Sequence, residues 1–479
     1  MTQLSDLSHD ILIKIACHLP LSDALRLSET CQHIHEILYL IRFRYKVQYS
    51  EIVALSYFDS FTRVECTKQV IRLPKRLQHL FWDNKYELPL NLPESVTHLH
   101  IINNYNRALR QLPASLTHLT LGKSYNQPLP ELSSSLTHLI LGSDYNHPLS
   151  MLPTSLIHLT LGCNYNQILP ELPNSLTELK LGYAYNKLLP FLPNSLTELI
   201  IGYNYNHPLT CLPESLLHLK LGRNYDQSLP HLPESLTYLS LNSCYSKQLP
   251  NLPAKLTRLE LGFNYNHILP QLPESLTNLT YGRCYTHELQ LSGSLKYLTL
   301  NCNQIPLQLP SSLLSLTTGF NFNHILPSLP DSLTHLILGY NHTHSLPPLP
   351  ALLTSLTLSH QYNRPLQALP DLLTYLNLGC KYNHPLPRLP KSLLYLILSK
   401  HYNHAILELP DSLEWLKLGK HYNWPLPGLP DSLTLLGLGA NFTQPLPKLP
   451  ASLNKLVISR SYALSADISP DIDIEFLTK

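Results

Sequence analysis

The sequence predicts a β-solenoid of about twenty short coils behind a small helical head. A twenty-residue pattern recurs in register from about residue 77 to residue 465, as in LIHLTLGCNYNQILPELPNS at residues 156–175. Within each copy, apolar and polar residues alternate as in a half-buried strand. The 41 prolines of the chain exclude helices from the side of the coil opposite the strand. A coil this short cannot bury an apolar face alone, so neighbouring coils must stack.

The composition narrows the classes of partner. Only 14% of the 479 residues are charged, and the formal net charge is +2. Nucleic acids and acidic membrane surfaces require clustered Lys and Arg, so neither is expected as a partner. Nine scattered cysteines form no Cys-x-x-Cys pair, which favours a reducing compartment. Neither a signal peptide nor an apolar run of bilayer length is evident. We therefore expect a cytoplasmic location.

Residues 1–47 do not follow the repeat. Ile11, Leu12, Ile15 and Leu19 recur at helical spacing, Pro20 ends that segment, and two further helical segments follow. One interpretation is a helical cap that covers the open end of the solenoid.

The same segment resembles an F-box, and the similarity is carried by residues 4–12, by Leu19-Pro20 and by residues 23–31. The resemblance implies a three-helix module that binds the Skp-type adaptor of a cullin-RING ubiquitin ligase. It places adaptor-facing apolar side chains at Leu7, Ile11, Leu12, Ile15, Leu19, Leu25, Leu27 and Cys31.

Beyond the head, residues 48–76 are predicted as a transition with degenerate first coils, residues 77–465 as the repeat array, and residues 466–479 as a C-terminal cap. In one repeat, Leu119 points inward, whereas His118 and Thr120 point outward on the concave face. Gly122 allows a turn conformation that a side chain would resist.

An aromatic residue and an Asn follow this turn in most coils. The aromatic ring is predicted to be core, and the Asn is predicted to form a ladder that satisfies turn backbone groups. The aromatic positions are Tyr86, Tyr105, every twentieth residue from Tyr125 to Tyr285, a degenerate coil near Ile305, Phe322, His342, and every twentieth residue from Tyr362 to Tyr462.

The repeats resemble FNIP repeats, which are leucine-rich-like repeats found beside F-boxes in giant viruses and social amoebae. The similarity is carried by the motif Tyr-Asn-x-Pro-Leu, as at residues 145–149. In some copies a further Pro follows, as at residues 382–387. F-boxes and FNIP repeats occur together in this family, which strengthens the F-box interpretation of the head. The resemblance also suggests a giant virus or an amoeba as the source. In the viral case, the expected location is the host cytoplasm.

No enzyme motif is found, so we expect no catalytic residue, cofactor or metal. The 25 histidines nevertheless invite a metal hypothesis, because His98, His118, His138 and His158 occupy the same outward position of adjacent coils. A pH-sensitive row and an ordinary recognition surface are the other interpretations of this row, and we favour the recognition surface.

The outward column varies from coil to coil, and Tyr, Trp and Arg dominate the energetics of protein interfaces. The target-binding residues are therefore predicted to be Tyr375, Tyr395, Trp415, Arg258 and Tyr238. The predicted function is a substrate-recognition subunit of an SCF-type ubiquitin ligase, in which the head binds the adaptor and the repeats bind a target protein. The alternatives are a non-catalytic scaffolding solenoid whose head is only a cap, and a His-dependent metalloenzyme.

Overall fold

The computed structural model describes residues 46–83, 86–102, 104–462 and 472–477. The predicted three-helix head lies outside the described residues except for residues 46 and 47, and so do all eight side chains expected to face the adaptor. The chain divides into two compact units, residues 1–236 and residues 237–479. Each unit is described separately.

The described part of unit 1 is a parallel sheet with one strand per coil. Helix α1 (Tyr49–Ile52) and a 3-10 turn at Phe58–Ser60 lie between the first two strands. Each strand pairs in parallel with the strand of the next coil. The strands are β1 (Val47–Gln48), β2 (Arg63–Cys66), β3 (His79–Trp82), β4 (His98–Ile101), β5 (His118–Thr120), β6 (His138–Ile140), β7 (His158–Thr160), β8 (Glu178–Lys180), β9 (Glu198–Ile200) and β10 (His218–Lys220).

The described part of unit 2 repeats this arrangement, again with parallel pairing between consecutive strands. The last strand comes from the segment predicted as a C-terminal cap, and it continues the sheet. The strands are β11 (Tyr238–Ser240), β12 (Arg258–Glu260), β13 (Asn278–Tyr281), β14 (Tyr297–Leu300), β15 (Ser315–Thr318), β16 (His335–Ile337), β17 (Ser355–Thr357), β18 (Tyr375–Asn377), β19 (Tyr395–Ile397), β20 (Trp415–Lys417), β21 (Leu435–Gly437), β22 (Lys455–Ile458) and β23 (Asp473–Phe476).

The predicted period and near-absence of helix are confirmed. In the coil of β5, Leu116, Leu119 and Leu121 are buried, whereas His118 and Thr120 remain partly exposed. Each fully buried leucine contributes about 2 kcal/mol relative to an exposed one. Because register is kept from coil to coil, each leucine of one coil packs beside its equivalent in the next. The core is therefore a set of leucine columns.

Polar ladders tie the coils together, as predicted for the Asn column. The backbone N–H of Asn166 donates to Oδ1 of Asn146 at 2.9 Å, and the N–H of Asn186 donates to Oδ1 of Asn166 at 2.9 Å. A second ladder runs through serine, since Ser175 Oγ donates to the carbonyl of Leu156 at 2.6 Å. These bonds satisfy backbone groups at turns that the sheet leaves unpaired.

The predicted reason for the turn glycines was wrong. Among the described glycines only Gly379 has a positive φ, of 70°. The usual constraint is close approach, because a Cβ on Gly162 would lie 1.7 Å from the carbonyl oxygen of Gly142 in the preceding coil. Glycine is required here because stacked coils approach within the radius of a methyl group.

The aromatic column forms the predicted stacks. From Tyr105 to Tyr225 the ring centroids of successive coils are 6.1 to 6.4 Å apart. In unit 2, His342 takes a regular place in this stack, between Phe322 at 6.1 Å and Tyr362 at 6.3 Å. A histidine ring thus fills the same slot as a tyrosine.

Two assignments within this column need correction. Tyr86 was expected in the core but is 43% exposed. In the degenerate coil the buried residue is Cys302, whereas the predicted Ile305 is 41% exposed. Cys302 occupies the aromatic position of this coil, seventeen residues after Tyr285 and twenty before Phe322. The three residues missing from the regular spacing are therefore all lost before Cys302.

Candidate interaction surface

A row of stacked histidines runs along strands β3 to β7 of unit 1. The ring centroids of His79 and His98 are 3.9 Å apart, and the next three steps, through His118 and His138 to His158, measure 4.0, 4.0 and 4.2 Å. We call these five residues the histidine ladder. The structure therefore brings together the four histidines predicted to align and adds His79 to them.

Threonines fix the orientation of the three middle rings, those of His98, His118 and His138. Thr117 Oγ1 donates to the carbonyl of Thr97 at 3.0 Å and lies 2.8 Å from Nδ1 of His118. A hydroxyl has only one hydrogen, so Nδ1 of His118 must be the donor of the second bond. His138 is held by Thr137 in the same way. In this tautomer Nε2 carries no hydrogen and can accept a hydrogen bond.

Four rings of the ladder, from His79 to His138, have lowered pKa values and are uncharged near neutral pH. Burial lowers the pKa of His98 to about 4, and the neighbouring His79 and His100 lower it further. Burial lowers the pKa of His138 to about 4 as well, with added repulsion from His118 and His158. Stacked imidazolium ions would repel one another at this spacing. The surface from His79 to His138 is therefore polar and neutral.

The ladder ends in an ion-pair cluster. Nδ1 of His158 lies 3.1 Å from a carboxylate oxygen of Glu178, and the amine of Lys180 bridges Glu178 at 3.3 Å and Glu198 at 3.2 Å. Burial acts to raise the pKa of Glu178, but its interactions with His158 and Lys180 outweigh burial and the pKa is lowered. The row of stacked histidines thus meets an ion-pair cluster at β7 and β8.

Many of the remaining histidines have a structural role that the sequence analysis missed. Nε2 of His207 lies 3.1 Å from the carbonyl oxygen of Asn186, one coil earlier, and Trp424 Nε1 donates to the carbonyl of Asn403 at 3.0 Å. The position after the ladder Asn carries a nitrogen donor in coil after coil. The bonds are made by His147, Gln167, His207, His267, His287, His324, His344, Arg364, His384, His404 and Trp424.

The metal hypothesis finds no cluster to support it. Among the described residues, no group of three or more His, Cys, Asp or Glu side chains is arranged to hold a metal ion. The parallel rings of the histidine ladder direct their Nε2 lone pairs side by side rather than toward a common point.

In unit 2, three of the predicted target-binding residues lie together on adjacent strands. The ring centroids of Tyr375 and Tyr395 are 6.2 Å apart with a 41° tilt, and those of Tyr395 and Trp415 are 5.7 Å apart with a 56° tilt. Trp415 is 40% exposed. Tyr375 and Tyr395 are partly exposed. We call these three residues the aromatic triad.

Tyr238 and Arg258 do not join the triad. The guanidinium of Arg258 lies over the Tyr238 ring at 5.0 Å, and both side chains contact the carboxylate of Glu260. Strand β12 is six coils from β18, which corresponds to about 30 Å at the usual strand spacing. The structure therefore places the five predicted residues in two separate groups.

Within the described part of the chain, no helix is long and apolar enough to cross a membrane.

Comparisons with known proteins agree with this architecture. A model for the F-box domain matches residues 4–46, and a model for the FNIP repeat matches residues 84–124, 125–164, 165–204, 205–244 and 382–421. No curated protein sequence matches the chain. F-box domains and leucine-rich-repeat-like solenoids are typically non-catalytic interaction modules.

The fold is shared with solved structures. CroV588, described as a novel circular leucine-rich-repeat (LRR) protein, is 34% identical with a TM-score of 0.69, over 88% of this chain and 73% of that one. YopM from Yersinia enterocolitica WA-314 is 27% identical with a TM-score of 0.50, over 81% of this chain and 88% of that one. The chain therefore belongs to the family of F-box proteins that carry FNIP repeats on a leucine-rich-repeat-like solenoid.

Proposed function

We propose that this chain is the substrate-recognition subunit of a cullin-RING (SCF-type) ubiquitin ligase that acts in the cytoplasm. The observation that carries the proposal is the presence of an F-box match and a repeat solenoid in one chain. F-box domains generally bind Skp-type adaptors, and repeat solenoids bind target proteins. In this proposal ubiquitin transfer is catalysed by other subunits.

The adaptor contact is assigned to the apolar side chains of the F-box segment. Leu7, Ile11, Leu12 and Ile15 follow the i, i+3 and i+4 spacing by which an amphipathic helix presents one face to a groove. Leu19, Leu25, Leu27 and Cys31 complete the proposed contact.

The target contact is assigned first to the aromatic triad. Tyr and Trp supply large, rigid contact areas, and they are enriched among residues that dominate interface energies. Trp415 is the most exposed of the three, so it is the proposed central anchor. Tyr238 and Arg258 form a second, more polar contact, whose rigidity comes from Glu260.

Adaptor binding tests this function against the scaffolding alternative. The full chain and a variant with Ile11→Asp and Leu19→Asp are compared in a pull-down with a purified Skp-type adaptor. We expect the wild type to bind and the variant to lose binding, because a buried carboxylate in an apolar interface is strongly unfavourable. If the wild type does not bind, or if the variant binds equally well, the receptor proposal is wrong and the scaffolding alternative is favoured.

A further inference from the structure

A cluster of basic side chains lies in the same three coils as the aromatic triad. The turns that follow β18, β19 and β20 carry Lys381, Lys400-His401 and Lys420-His421. The three lysines are exposed, and the rings of His401 and His421 stack at 5.2 Å. We call these five residues the basic edge.

The basic edge has no compensating negative charge. In the coils of β15 to β22, the turns that directly follow the strands contain no Asp or Glu. In the part of the chain that the structure describes, no carboxylate pairs with the amine of Lys381, Lys400 or Lys420. Burial lowers the pKa of His401, and its positive neighbours lower it further, His421 first among them. Three unpaired cations in adjacent coils form a local positive field.

The opposite turns of two of these coils carry the opposite charge. The turns that precede β18 and β20 hold the exposed carboxylates of Asp371 and Asp411, whereas the turn before β19 carries Lys391; Asp331 and Asp431 take the same place before β16 and β21. Charge is therefore separated between the two turns in the coils of β18 and β20, although the net charge of the whole chain is only +2. The low net charge conceals the basic edge.

We propose that the basic edge and the aromatic triad together bind an acidic segment of the target polypeptide. The inference rests on the proposed function, because it describes the target that the same surface would hold. Tyr375 shares its coil with Lys381, Tyr395 with Lys400, and Trp415 with Lys420. Apolar side chains of the segment would pack on the rings, and its carboxylates would lie toward the lysines. Complementary charge of this kind speeds association and selects the partner.

An acidic peptide fits this surface better than a nucleic acid. Proteins that bind single strands without sequence preference stack successive bases on open ring faces along a strongly cationic groove. Here the ring of Tyr395 lies 6.2 Å from that of Tyr375 and 5.7 Å from that of Trp415, so neighbouring rings leave too little space for a base to stack between them. The neighbouring turn residues Phe320 and Tyr340 also cover each other, with centroids 4.6 Å apart.

A defined peptide tests the inference on the full chain. The probe is a fluorescein-labelled peptide of about twelve residues that carries Glu and Tyr, and its control has Gln in place of each Glu. Fluorescence anisotropy is expected to show that the Glu peptide binds and that the Gln peptide binds about tenfold more weakly. Added salt is expected to weaken the binding of the Glu peptide.

Two charge-matched variants locate the site. The first variant should bind the Glu peptide at least about tenfold more weakly than the wild type. It combines Lys381→Glu, Lys400→Glu and Lys420→Glu. The control combines Arg388→Glu, Lys391→Glu and Lys448→Glu, which lie away from the basic edge in the same unit and change the net charge equally. This control should retain binding. Circular dichroism of each variant verifies the fold.

Three results would overturn the inference: no binding of the Glu peptide, equal weakening by both variants, or tighter binding of a twelve-nucleotide single strand than of the Glu peptide. None of these results affects adaptor binding, so the proposed function stands or falls separately in the pull-down.

Discussion

A Cβ atom added to Gly419 would lie 1.7 Å from the carbonyl oxygen of Ser399 in the preceding coil. No rotation of a side chain can relieve this contact, because the obstacle is backbone. The distance between stacked coils thus depends on a hydrogen atom at this position.

We expect Gly419→Ala to destabilise unit 2 by about 3 kcal/mol, because the methyl group must push two coils apart. Gly428→Ala is the matched control, since a Cβ there meets no atom within 4 Å. The control should be neutral or slightly stabilising, because alanine restricts the unfolded chain. Urea unfolding followed by circular dichroism gives both values. Equal midpoints for the two variants would contradict the close-approach explanation.

A second prediction concerns the tyrosine stack. Tyr165 is fully buried, its hydroxyl has no hydrogen-bond partner of normal geometry, and burial raises its pKa to about 12. Tyr165→Phe should therefore change the free energy of unfolding by less than about 1 kcal/mol. Tyr165→Ala should cost about 3 to 5 kcal/mol, because it leaves a cavity between two rings. A large loss in the Phe variant would show that the hydroxyl matters more than the ring.

The third prediction concerns pH. His342 is fully buried, neither ring nitrogen has a hydrogen-bond partner of normal geometry among the described residues, and burial lowers its pKa to about 4. The unfolded chain takes up this proton as pH falls below about 6.5, whereas the folded chain resists until about 4. Its contribution to stability is therefore present above pH 6.5 and is lost as pH falls toward 4.

His342→Phe removes both the unpaired nitrogens and the proton uptake. The variant should be more stable by about 1 to 3 kcal/mol at pH 7.5, with a larger gain at pH 5. Phe322 shows that a phenyl ring fits the same slot of a neighbouring coil. Urea midpoints of both proteins at the two pH values check this, and a gain that shrinks at pH 5 would reverse the assigned sign.

The alternation of His118, Leu119 and Thr120 could be read from the sequence because a strand has period two. The role of Gly162 could not, since its constraint is a carbonyl twenty residues earlier and not its own φ. Cys302 was missed because three residues are lost before it, which moves the aromatic slot away from Ile305.

The surface residues show a similar limit. Repeat register placed Tyr375, Tyr395 and Trp415 in one column, and the structure brings them together. The same register could not reveal that Glu260 ties Tyr238 to Arg258, because that depends on side-chain conformation. It also could not separate the outward histidines from those that bond a carbonyl one coil earlier, such as His207.

The most direct test of the receptor proposal is a bridging experiment with two variants of the full chain. A Skp-type adaptor is immobilised, and the proteins that it retains from a cell extract are compared with and without the chain. Wild type should bind the adaptor and bring target proteins with it. The Tyr375→Ala, Tyr395→Ala, Trp415→Ala variant should bind the adaptor but lose the targets, and the Ile11→Asp, Leu19→Asp variant should lose both from the resin. Retention of the same targets by the aromatic variant, or adaptor binding by the Asp variant, would contradict the account.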